Sequence, residues 1–303
     1  MRPFRFGVQA LPSGGPGEYR ELAKRVEDLG YAELFTADHL GAADPFLPLI
    51  TAAEATSTLR LGPLVLNNEF HHTALLARAA ATFDRFTDGR LVLGMGTGYQ
   101  RSEHDAAGVE LREPALRVTR FEETLIVLRS LLDDGSAHLD GEEVTVSIDD
   151  LGVRPVDRVP LLVGGHGRRV VSIAARNSDI FQFTGLTHAE GTGDPGAGGF
   201  QRAQLDERRR WLEEAAGDRF AEIDLSALVQ IVVVGGGDEE RTRAADRLAL
   251  DPADLSELPF TLIGSVDQIV DQVVRLRESL GIHHYVIRDV EGFAPVVERL
   301  TGT

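Results

Sequence analysis

The stretch that decides the fold runs from Arg60 to Tyr99 and reads RLGPLVLNNEFHHTALLARAAATFDRFTDGRLVLGMGTGY. It begins with an apolar run, Leu61 to Leu66, that does not alternate with polar residues. A segment with apolar residues three or four apart follows from Thr73, and a second apolar run covers Leu91 to Met95. This order predicts a βαβ unit of a parallel sheet buried on both faces. Ligands of such sheets bind beyond the carboxyl ends of the strands.

The same alternation extends over the whole chain. The predicted strands are Phe4–Gln9, Ala32–Thr36, Leu61–Leu66, Leu91–Met95, Pro160–Val163, Ser178–Phe183, Leu228–Val234 and His284–Arg288. Strands that alternate with helices predict an α/β fold with a parallel sheet. The count of eight favours a closed (β/α)8 TIM barrel over an open doubly wound sheet. Because no change of composition marks a linker, we predict a single domain over residues 1–303.

Two segments are longer than a barrel connection needs. Gln100–Pro114 follows strand four and is predicted to be polar and irregular, and Thr184–Gly199, with six glycines and one proline, follows strand six. Loops of that length are usually lids or disordered segments. We therefore predict insertions after strands 4 and 6 over the C-terminal mouth, with Thr184–Gly199 closing over the site. Ala137–Ile148 is predicted to form a small hairpin.

Composition excludes several classes of function. The formal net charge of −17 argues against nucleic acid and anionic membranes as partners. The chain has no cysteine, which excludes disulfides, thiolate catalysis and zinc–thiolate sites. Lys24 is the sole lysine, so a P-loop or a Schiff-base lysine at a strand end is excluded. No apolar run approaches the roughly 18 residues that span a bilayer, and the N-terminus does not resemble a signal peptide. We expect a cytoplasmic protein.

Two glycine-rich turns are candidate anion sites. Gly96-Thr97-Gly98 and Gly164 to Gly167 each leave a predicted strand and precede a helix. Glycine lets the backbone approach a ligand, and free N–H groups there hold phosphate. Arg168 or Arg169 would add charge, and His166 is expected to contact an anion rather than a metal. The alternative is that both are ordinary tight turns, and neither matches a dinucleotide-binding fingerprint.

Asp38-His39 is the second candidate for chemistry. An ionisable pair at the end of a barrel strand is costly unless it is used or exposed. Histidine transfers protons near neutral pH, and an adjacent carboxylate can fix its orientation. A purely structural pair is an equal alternative on these grounds. The adjacent histidines His71-His72 and His283-His284 are not predicted to bind a metal, because neighbours on a strand face opposite sides and no carboxylate has chelating spacing.

Read together, several segments resemble the bacterial-luciferase-like family, most closely its deazaflavin-dependent oxidoreductase branch. They are Asp38-His39, the stretch from Leu64 to Tyr99, RVTRFEETLIVLRSLL and PLLVGGHGRRVVSIAARNSDI. The resemblance covers nearly the whole chain and implies a barrel that binds coenzyme F420 or FMN at its C-terminal mouth. It implies that His39 lies against the flavin-like ring with Asp38 beside it. It also implies cofactor contacts from Leu66, Asn67, Asn68, Gly96, Thr97, Gly98, Tyr99, Gly164, Gly165, His166, Gly167 and Arg168.

Two finer points follow from the resemblance. Leu66-Asn67-Asn68 matches the family's strand-three bulge, which often carries a non-proline cis peptide bond behind the ring. Sugar-phosphate and alcohol dehydrogenases of the deazaflavin branch have a glutamate where this chain has Tyr99. A phenol there would need to work against a pKa of about 10, so their chemistry is not carried over. The Asp38-His39 pair favours the deazaflavin over FMN.

The sequence therefore predicts an F420-dependent oxidoreductase that transfers a hydride between the deazaflavin and a small organic substrate. One alternative is an FMN-dependent two-component monooxygenase supplied by a separate flavin reductase. A second is a barrel that binds flavin without turnover, and a third is an isomerase or aldolase that uses the phosphate loop. The resemblance also implies a homodimer.

Overall fold

The computed structural model describes residues 2–11, 14–185, 187–188, 195–196 and 198–303. Its strands are β1 Arg5–Gln9, β2 Glu33–Thr36, β3 Arg60–Pro63, β4 Leu66–Asn67, β5 Leu93–Gly96, β6 Ala137–Asp140, β7 Thr145–Ile148, β8 Leu161–Gly164, β9 Ile180–Phe183, β10 Thr187–His188, β11 Pro195–Gly196, β12 Asp224–Leu228, β13 Ile231–Val234, β14 Thr261–Gly264 and β15 His284–Ile287. Its helices are α1 Pro16–Asp28, α2 Leu47–Ala55, α3 Thr73–Phe86, α4 Arg101–Ala107, α5 Pro114–Asp133, α6 Arg168–Asn177, α7 Arg202–Ala216, α8 Asp238–Leu248, α9 Val266–Leu280 and α10 Val290–Leu300.

The main sheet is a closed parallel barrel. Its nine strands follow the order β3-β2-β1-β15-β12-β9-β8-β5-β4. The two end strands, β3 and β4, are consecutive pieces of one barrel strand: β3 pairs with β2, and β4 pairs with β5. A further parallel bridge joins Leu61 to Leu91 and completes the ring. Counting β3 and β4 as one position gives the eight positions of the predicted (β/α)8 barrel, which is confirmed.

The third barrel strand is interrupted by a non-proline cis peptide bond between Leu64 and Val65. The bond therefore lies just before Leu66-Asn67-Asn68 and not within that triplet. Glycines line the seam between the third and fourth barrel strands because the backbones approach closely there. A Cβ atom on Gly62 would overlap the carbonyl oxygen of Val92, and one on Gly94 would overlap that of Pro63.

Residues on alternate positions of each strand face the barrel interior or the helices. Phe6 faces outward and meets Phe293 of α10 edge-on, with ring centroids 5.7 Å apart. The middle of the interior is an apolar cluster that takes one or two residues from most barrel strands. Its members are Phe35, Leu64, Val92, Leu162, Ile180 and Val286, with Val65 and Leu228 packed against them. This layer separates the two ends of the barrel.

The N-terminal end of the barrel is closed by a buried ionic cluster. Glu33 is fully buried, and its Oε1 lies 2.6 Å from Nε of Arg5. Its other oxygen, Oε2, lies 3.3 Å from Nε2 of His284, which is also fully buried. Burial alone would raise the pKa of Glu33, but the charge of Arg5, followed by His284, lowers it to about 2. We call these three side chains the floor cluster.

The prediction for strand seven was wrong in its position. The barrel strand is β12, which ends where the predicted strand Leu228–Val234 was placed to begin. The run Ile231–Val234 instead pairs with Thr261–Gly264 in a separate two-stranded parallel sheet. This pair and α8 form an insertion after strand seven that the sequence did not indicate. An apolar run of branched residues has the same signature in either sheet, so the pattern could not separate the two.

The insertion after strand four contains a helix, α4, where an irregular segment was predicted. The predicted hairpin is confirmed as β6–β7, an antiparallel pair. Most of the lid predicted at 184–199 lies outside the described residues, although Thr187–His188 pairs antiparallel with Pro195–Gly196. Across the described ranges, no helix has both the length and the apolar character that crossing a membrane requires.

Candidate active site

A histidine that follows a strand and a glutamate at the start of a helix form a hydrogen-bonded pair at the C-terminal mouth. His39 follows β2, and its Nδ1 lies 2.8 Å from Oε1 of Glu103. The imidazole is 41% exposed, whereas the carboxylate is 17% exposed. The pair therefore has one partner held in the protein wall and one facing the opening, which is an arrangement suited to moving protons to a bound molecule.

Helix α4 brings Glu103 to this position. Glu103 lies in the first turn of α4, where a carboxylate is favoured by the partial positive charge of the helix N-terminus. The next residue, His104, is fully buried and anchors the helix. Its Nδ1 is 3.2 Å from the carbonyl oxygen of Val109, and its Nε2 is 2.9 Å from Nδ2 of Asn67. Because the carbonyl only accepts, the hydrogen sits on Nδ1, and Nε2 accepts from the Asn67 amide.

Asp38 does not orient His39. Its Oδ2 accepts from the backbone N–H of Asn67 at 2.9 Å and lies 2.9 Å from Nε2 of His71. The carboxylate thus ties the start of β4 to the segment before α3. The carboxylate that contacts the His39 ring is that of Glu103, and Asp38 instead holds the backbone beside the broken third strand.

The residues expected at the strand-three bulge present little surface to the mouth. Leu66 and Asn68 are fully buried, and Asn67 is 8% exposed. The Asn67 amide is occupied by His104, and its Oδ1 accepts from the backbone N–H of Glu69 at 3.1 Å. Contacts from these residues to a cofactor would thus come mainly from the backbone.

The glycines after strand four are required by packing. A Cβ on Gly96 would lie 2.7 Å from Cγ2 of Val65, and one on Gly98 would overlap the Asn67 amide. Gly98 also has a φ of +78°, which favours glycine. Its carbonyl accepts from Nη1 of Arg117 at 2.7 Å. Thr97, between the two glycines, is partly exposed.

Tyr99 stands beside the ion pair. Its ring meets that of His39 edge-on, with centroids 6.2 Å apart. Burial, and then the charge of Glu103, raise the pKa of Tyr99 above its ordinary value of 10. The phenol therefore stays neutral and cannot serve as a proton acceptor near neutral pH, which agrees with the departure noted from the sequence.

The glycine turn after strand five is tightly packed at Gly165 and open at Gly167. A Cβ on Gly165 would lie 2.5 Å from Cγ1 of Val170, whereas one on Gly167 would meet nothing within 4 Å. Gly167 is the N-cap of α6 and provides no side-chain hydrogen bond to the first turn. Arg168 is 70% exposed, with Glu214 as a distant partner at 3.6 Å. Gly164 at the end of β8 is partly exposed.

His166 is engaged by other protein groups. Nη1 of Arg208 donates to its Nδ1 at 2.8 Å, and its Nε2 lies 2.7 Å from Oγ1 of Thr184. Arg208 is nearly fully buried, and burial lowers its pKa to about 10. A guanidinium only donates, so Nδ1 accepts and the ring hydrogen sits on Nε2. The imidazole therefore braces the turn against β9 and α7 rather than projecting as a free cation.

His39 and the turn after strand five lie on the same end of the barrel. Their strands, β2 and β8, are separated by the third and fourth barrel strands. Three strand spacings of about 4.8 Å put them roughly 14 Å apart along the wall. That distance suits a ligand with a ring at one end and a phosphate at the other.

Three observations fit a flavin-like cofactor in this opening. Val65 and Leu228, which are partly exposed and pack against the apolar cluster of the barrel interior, are apolar side chains that a flat ring could contact. His39, which follows β2 at the same end of the barrel, is half-exposed. The uncapped N-terminus of α6 at Gly167 offers backbone N–H groups to a phosphate. No group of three or more acidic or histidine residues in the described ranges is arranged to bind a metal ion.

A comparison with models of known protein families identifies the family of this chain. The model of the luciferase-like monooxygenase family matches residues 1–233. The chain belongs to the luciferase-like monooxygenase family. Its barrel, broken third strand and mouth can therefore be compared with those of other family members.

Two relatives and one solved structure illustrate the similarity. The F420-dependent glucose-6-phosphate dehydrogenase of Nakamurella multipartita is 32% identical over 189 residues, which is 59% of this chain and 56% of the relative. The 5,10-methylenetetrahydromethanopterin reductase of Archaeoglobus fulgidus is 28% identical over 175 residues, covering 58% of this chain and 51% of the relative. The chain thus matches about half the length of each.

The structure of the coenzyme F420-dependent tetrahydromethanopterin reductase of Methanopyrus kandleri superposes with a TM-score of 0.77. It covers 97% of each chain at 19% identity. Similarity at this level shows that the luciferase-like barrel fold is shared, and it leaves the reaction to be argued from the site.

Sequence reasoning missed Glu103. Polar residues dominate the segment Gln100–Pro114, and this composition predicts an irregular segment and no helix. One signal was available: Glu103 lies four residues after Tyr99, within a stretch free of glycine and proline. A short helix there returns a carboxylate toward the strand end that precedes it.

Proposed function

We propose that this protein is an oxidoreductase that uses coenzyme F420 to transfer a hydride to or from a small organic substrate at the C-terminal barrel mouth. The observation that carries the proposal is the His39–Glu103 pair at the barrel mouth, in which the imidazole is half-exposed and the carboxylate is held in the wall. Relatives named as F420-dependent enzymes support the choice of cofactor. When bound, the deazaflavin supplies the hydride donor or acceptor.

His39 supplies the proton that balances hydride transfer. The Glu103 carboxylate accepts a hydrogen bond from Nδ1–H of His39, which leaves Nε2 to exchange a proton with the substrate. The ion pair also stabilises the imidazolium that forms when Nε2 takes up a proton. This is the orienting role that a buried carboxylate plays for a catalytic histidine. Asp38 acts one step away, by holding the Asn67 backbone.

The remaining predicted residues hold the cofactor in this proposal. Gly164, Gly165, Gly167 and Arg168 bind its phosphate at the start of α6, and His166 braces that turn. Backbone groups of the strand ends shape the ring site, and they belong to Leu66, Asn67, Asn68, Gly96, Thr97, Gly98 and Tyr99. Positioning of cofactor and substrate in one opening lowers the barrier by several kcal/mol.

The substrate is an activated alkene, an imine or an alcohol. The neutral Tyr99 stands where the branch's sugar-phosphate and alcohol dehydrogenases have glutamate, so their proton chemistry is not transferred to this chain. We also propose that the protein forms a homodimer and that residues 1–303 form a single domain. An FMN-dependent monooxygenase would in addition need a flavin reductase as partner.

Titrations with F420 and with FMN, followed by quenching of Trp211 fluorescence, test the proposal. We expect saturable F420 binding that is at least tenfold tighter than FMN binding. Tighter binding of FMN would replace the proposal with the monooxygenase. A barrel that binds flavin without turnover would be indicated if His39→Ala left both binding and every measurable activity unchanged.

A further inference from the structure

The guanidinium of Arg288 lies at the barrel mouth, at the carboxyl end of β15. His284 and Val286 of this strand face the barrel interior, in the floor cluster and the apolar cluster respectively. Side chains alternate along a strand, so residue 288 continues the same inward face one step beyond Ile287. Arg288 therefore projects into the opening that contains His39.

Two glutamines hold this guanidinium by their oxygens. Nε of Arg288 donates to Oε1 of Gln9 at 3.0 Å, and Nη1 approaches Oε1 of Gln230 at 3.5 Å. Gln9 is oriented by its own Nε2, which donates to the carbonyl of Leu64 at 2.6 Å. Gln230 donates likewise to the carbonyl of Leu228 at 3.3 Å. The arginine is thus positioned by neutral acceptors.

Arg288 has no acidic partner among the residues that the structure describes, although acidic residues outnumber basic ones by 48 to 31 in the sequence. The side chain as a whole is exposed, but partial burial of the guanidinium, and then the charge of Arg247 on α8, lower the pKa of Arg288. The charge of Arg288 is thus left without an ion-pair partner in the described residues, which favours an anionic ligand at this position.

We propose that Arg288 binds an anionic group of the substrate, a carboxylate or a phosphate, at the β15 side of the mouth. This inference rests on the proposed function. The Nη2 group has no acceptor in the described part of the chain, and the guanidinium edge matches two oxygens of a carboxylate or phosphate. The glutamines fix the direction of that edge before the anion arrives.

The position of Arg288 distinguishes substrate from cofactor. β15 lies two strands from β2 in one direction round the barrel, whereas β8 lies three strands from β2 in the other. The cofactor phosphate is assigned to the turn after β8. A ring that extends from His39 toward that turn leaves the β1–β15 side for substrate, with its anionic group about 10 Å along the wall from the His39 strand.

The test is calorimetric titration of the F420-saturated protein with inorganic phosphate and, separately, with acetate. Wild type is expected to bind at least one anion saturably, and Arg288→Gln to weaken that binding at least tenfold. The affinity of Arg288→Lys is expected to lie between those of wild type and Arg288→Gln, because lysine keeps the charge and lacks the planar guanidinium that can donate two parallel hydrogen bonds. Arg243→Gln is the matched control: Arg243 is on α8 but pairs with Glu239 and Glu240, and binding should change less than twofold.

The anion that loses affinity in Arg288→Gln identifies the substrate group as phosphate or carboxylate. Equal binding to wild type and Arg288→Gln, or no saturable binding of either anion, overturns the proposal. A parallel loss of F420 affinity in Arg288→Gln would assign the site to the cofactor and also overturn it. If F420 itself fails to bind wild type, the proposed function fails, and titration of the cofactor-free protein still reports whether Arg288 binds anions.

Discussion

The two ends of this barrel carry similar residues in different environments. At the N-terminal end, Glu33 and His284 are fully buried, and Glu33 is matched by Arg5. At the C-terminal end, His39 is half-exposed and Arg288 lacks an acidic partner among the described residues. The same strands, β2 and β15, supply both sets.

The different exposure of these charges indicates a different role for each end of the barrel. A buried charge that has an ionic partner holds strands together and offers nothing to a ligand, and removing that partner is costly. A charge at the mouth that faces the opening contributes little to stability and is available for chemistry. This division matches the general rule that barrel activity lies at the C-terminal face and stability at the opposite face.

The largest expected effect is on catalysis at the mouth. His39→Ala should lower turnover by about 10²- to 10⁴-fold, because it removes the group that exchanges the proton. The measurement is the change in F420 absorbance with a substrate found by screening alcohols, imines and activated alkenes. Urea unfolding should show unchanged stability. Full turnover in the variant would contradict the assignment.

The second prediction concerns the floor cluster at the opposite end of the barrel. Glu33→Gln should lower the free energy of unfolding by about 3–5 kcal/mol, because Arg5 loses its buried counter-charge. His284, whose pKa is lowered by burial, loses a carboxylate partner as well. Cofactor affinity per folded molecule should not change. A variant as stable as wild type would show that the floor cluster does not hold the barrel.

The pH dependence of stability checks the same prediction. The pKa of Glu33 is depressed from 4.5 to about 2 in the folded protein, so its contribution is present above pH 4.5 and is lost as the pH falls toward 2. The loss is about 3 kcal/mol, at roughly 1.4 kcal/mol per unit. Glu33→Gln should remove this part of the acid slope, as measured by urea unfolding at several pH values.

A third prediction separates the two glycine turns. Gly96→Ala should destabilise the fold by about 1–3 kcal/mol, because the new methyl meets Val65. Gly167→Ala is the matched control and should cost less than about 1 kcal/mol, because nothing lies near the new methyl and only the N-cap preference for glycine over alanine is lost. Thermal unfolding measures both. Equal effects would mean that the first turn is no more tightly packed than the second.

The smallest expected effect is on the orienting carboxylate. Glu103→Gln should lower turnover about tenfold, because the amide cannot stabilise a charged His39 as the carboxylate does. Glu110→Gln removes an exposed carboxylate beyond α4 and should have no effect. If the two variants behaved alike, Glu103 would be a structural partner only.

The sequence predicted the barrel because its signals are local. Gly30 after α1 and the apolar runs of β2, β5 and β9 depend on neighbours within a few residues. It misplaced strand seven, because the runs near Leu228 and Ile231 have the same composition and different partners. Which partner wins is decided by packing between distant segments.

The site was predicted in part for the same reason. His39 and the turn from Gly164 to Arg168 were found from their places at strand ends. Glu103 and the Gln9–Arg288 contact were missed, since they join residues 64 and 279 positions apart. The assignment of Asp38 to His39 followed sequence adjacency, but the fold turns Asp38 toward His71.

The most direct test of the account is a crystal structure of the protein with F420 bound. The account predicts the deazaflavin ring over Leu64 and Val65, within contact distance of Nε2 of His39, and the phosphate at the start of α6. A ring bound away from His39, or at the floor end of the barrel, would contradict it.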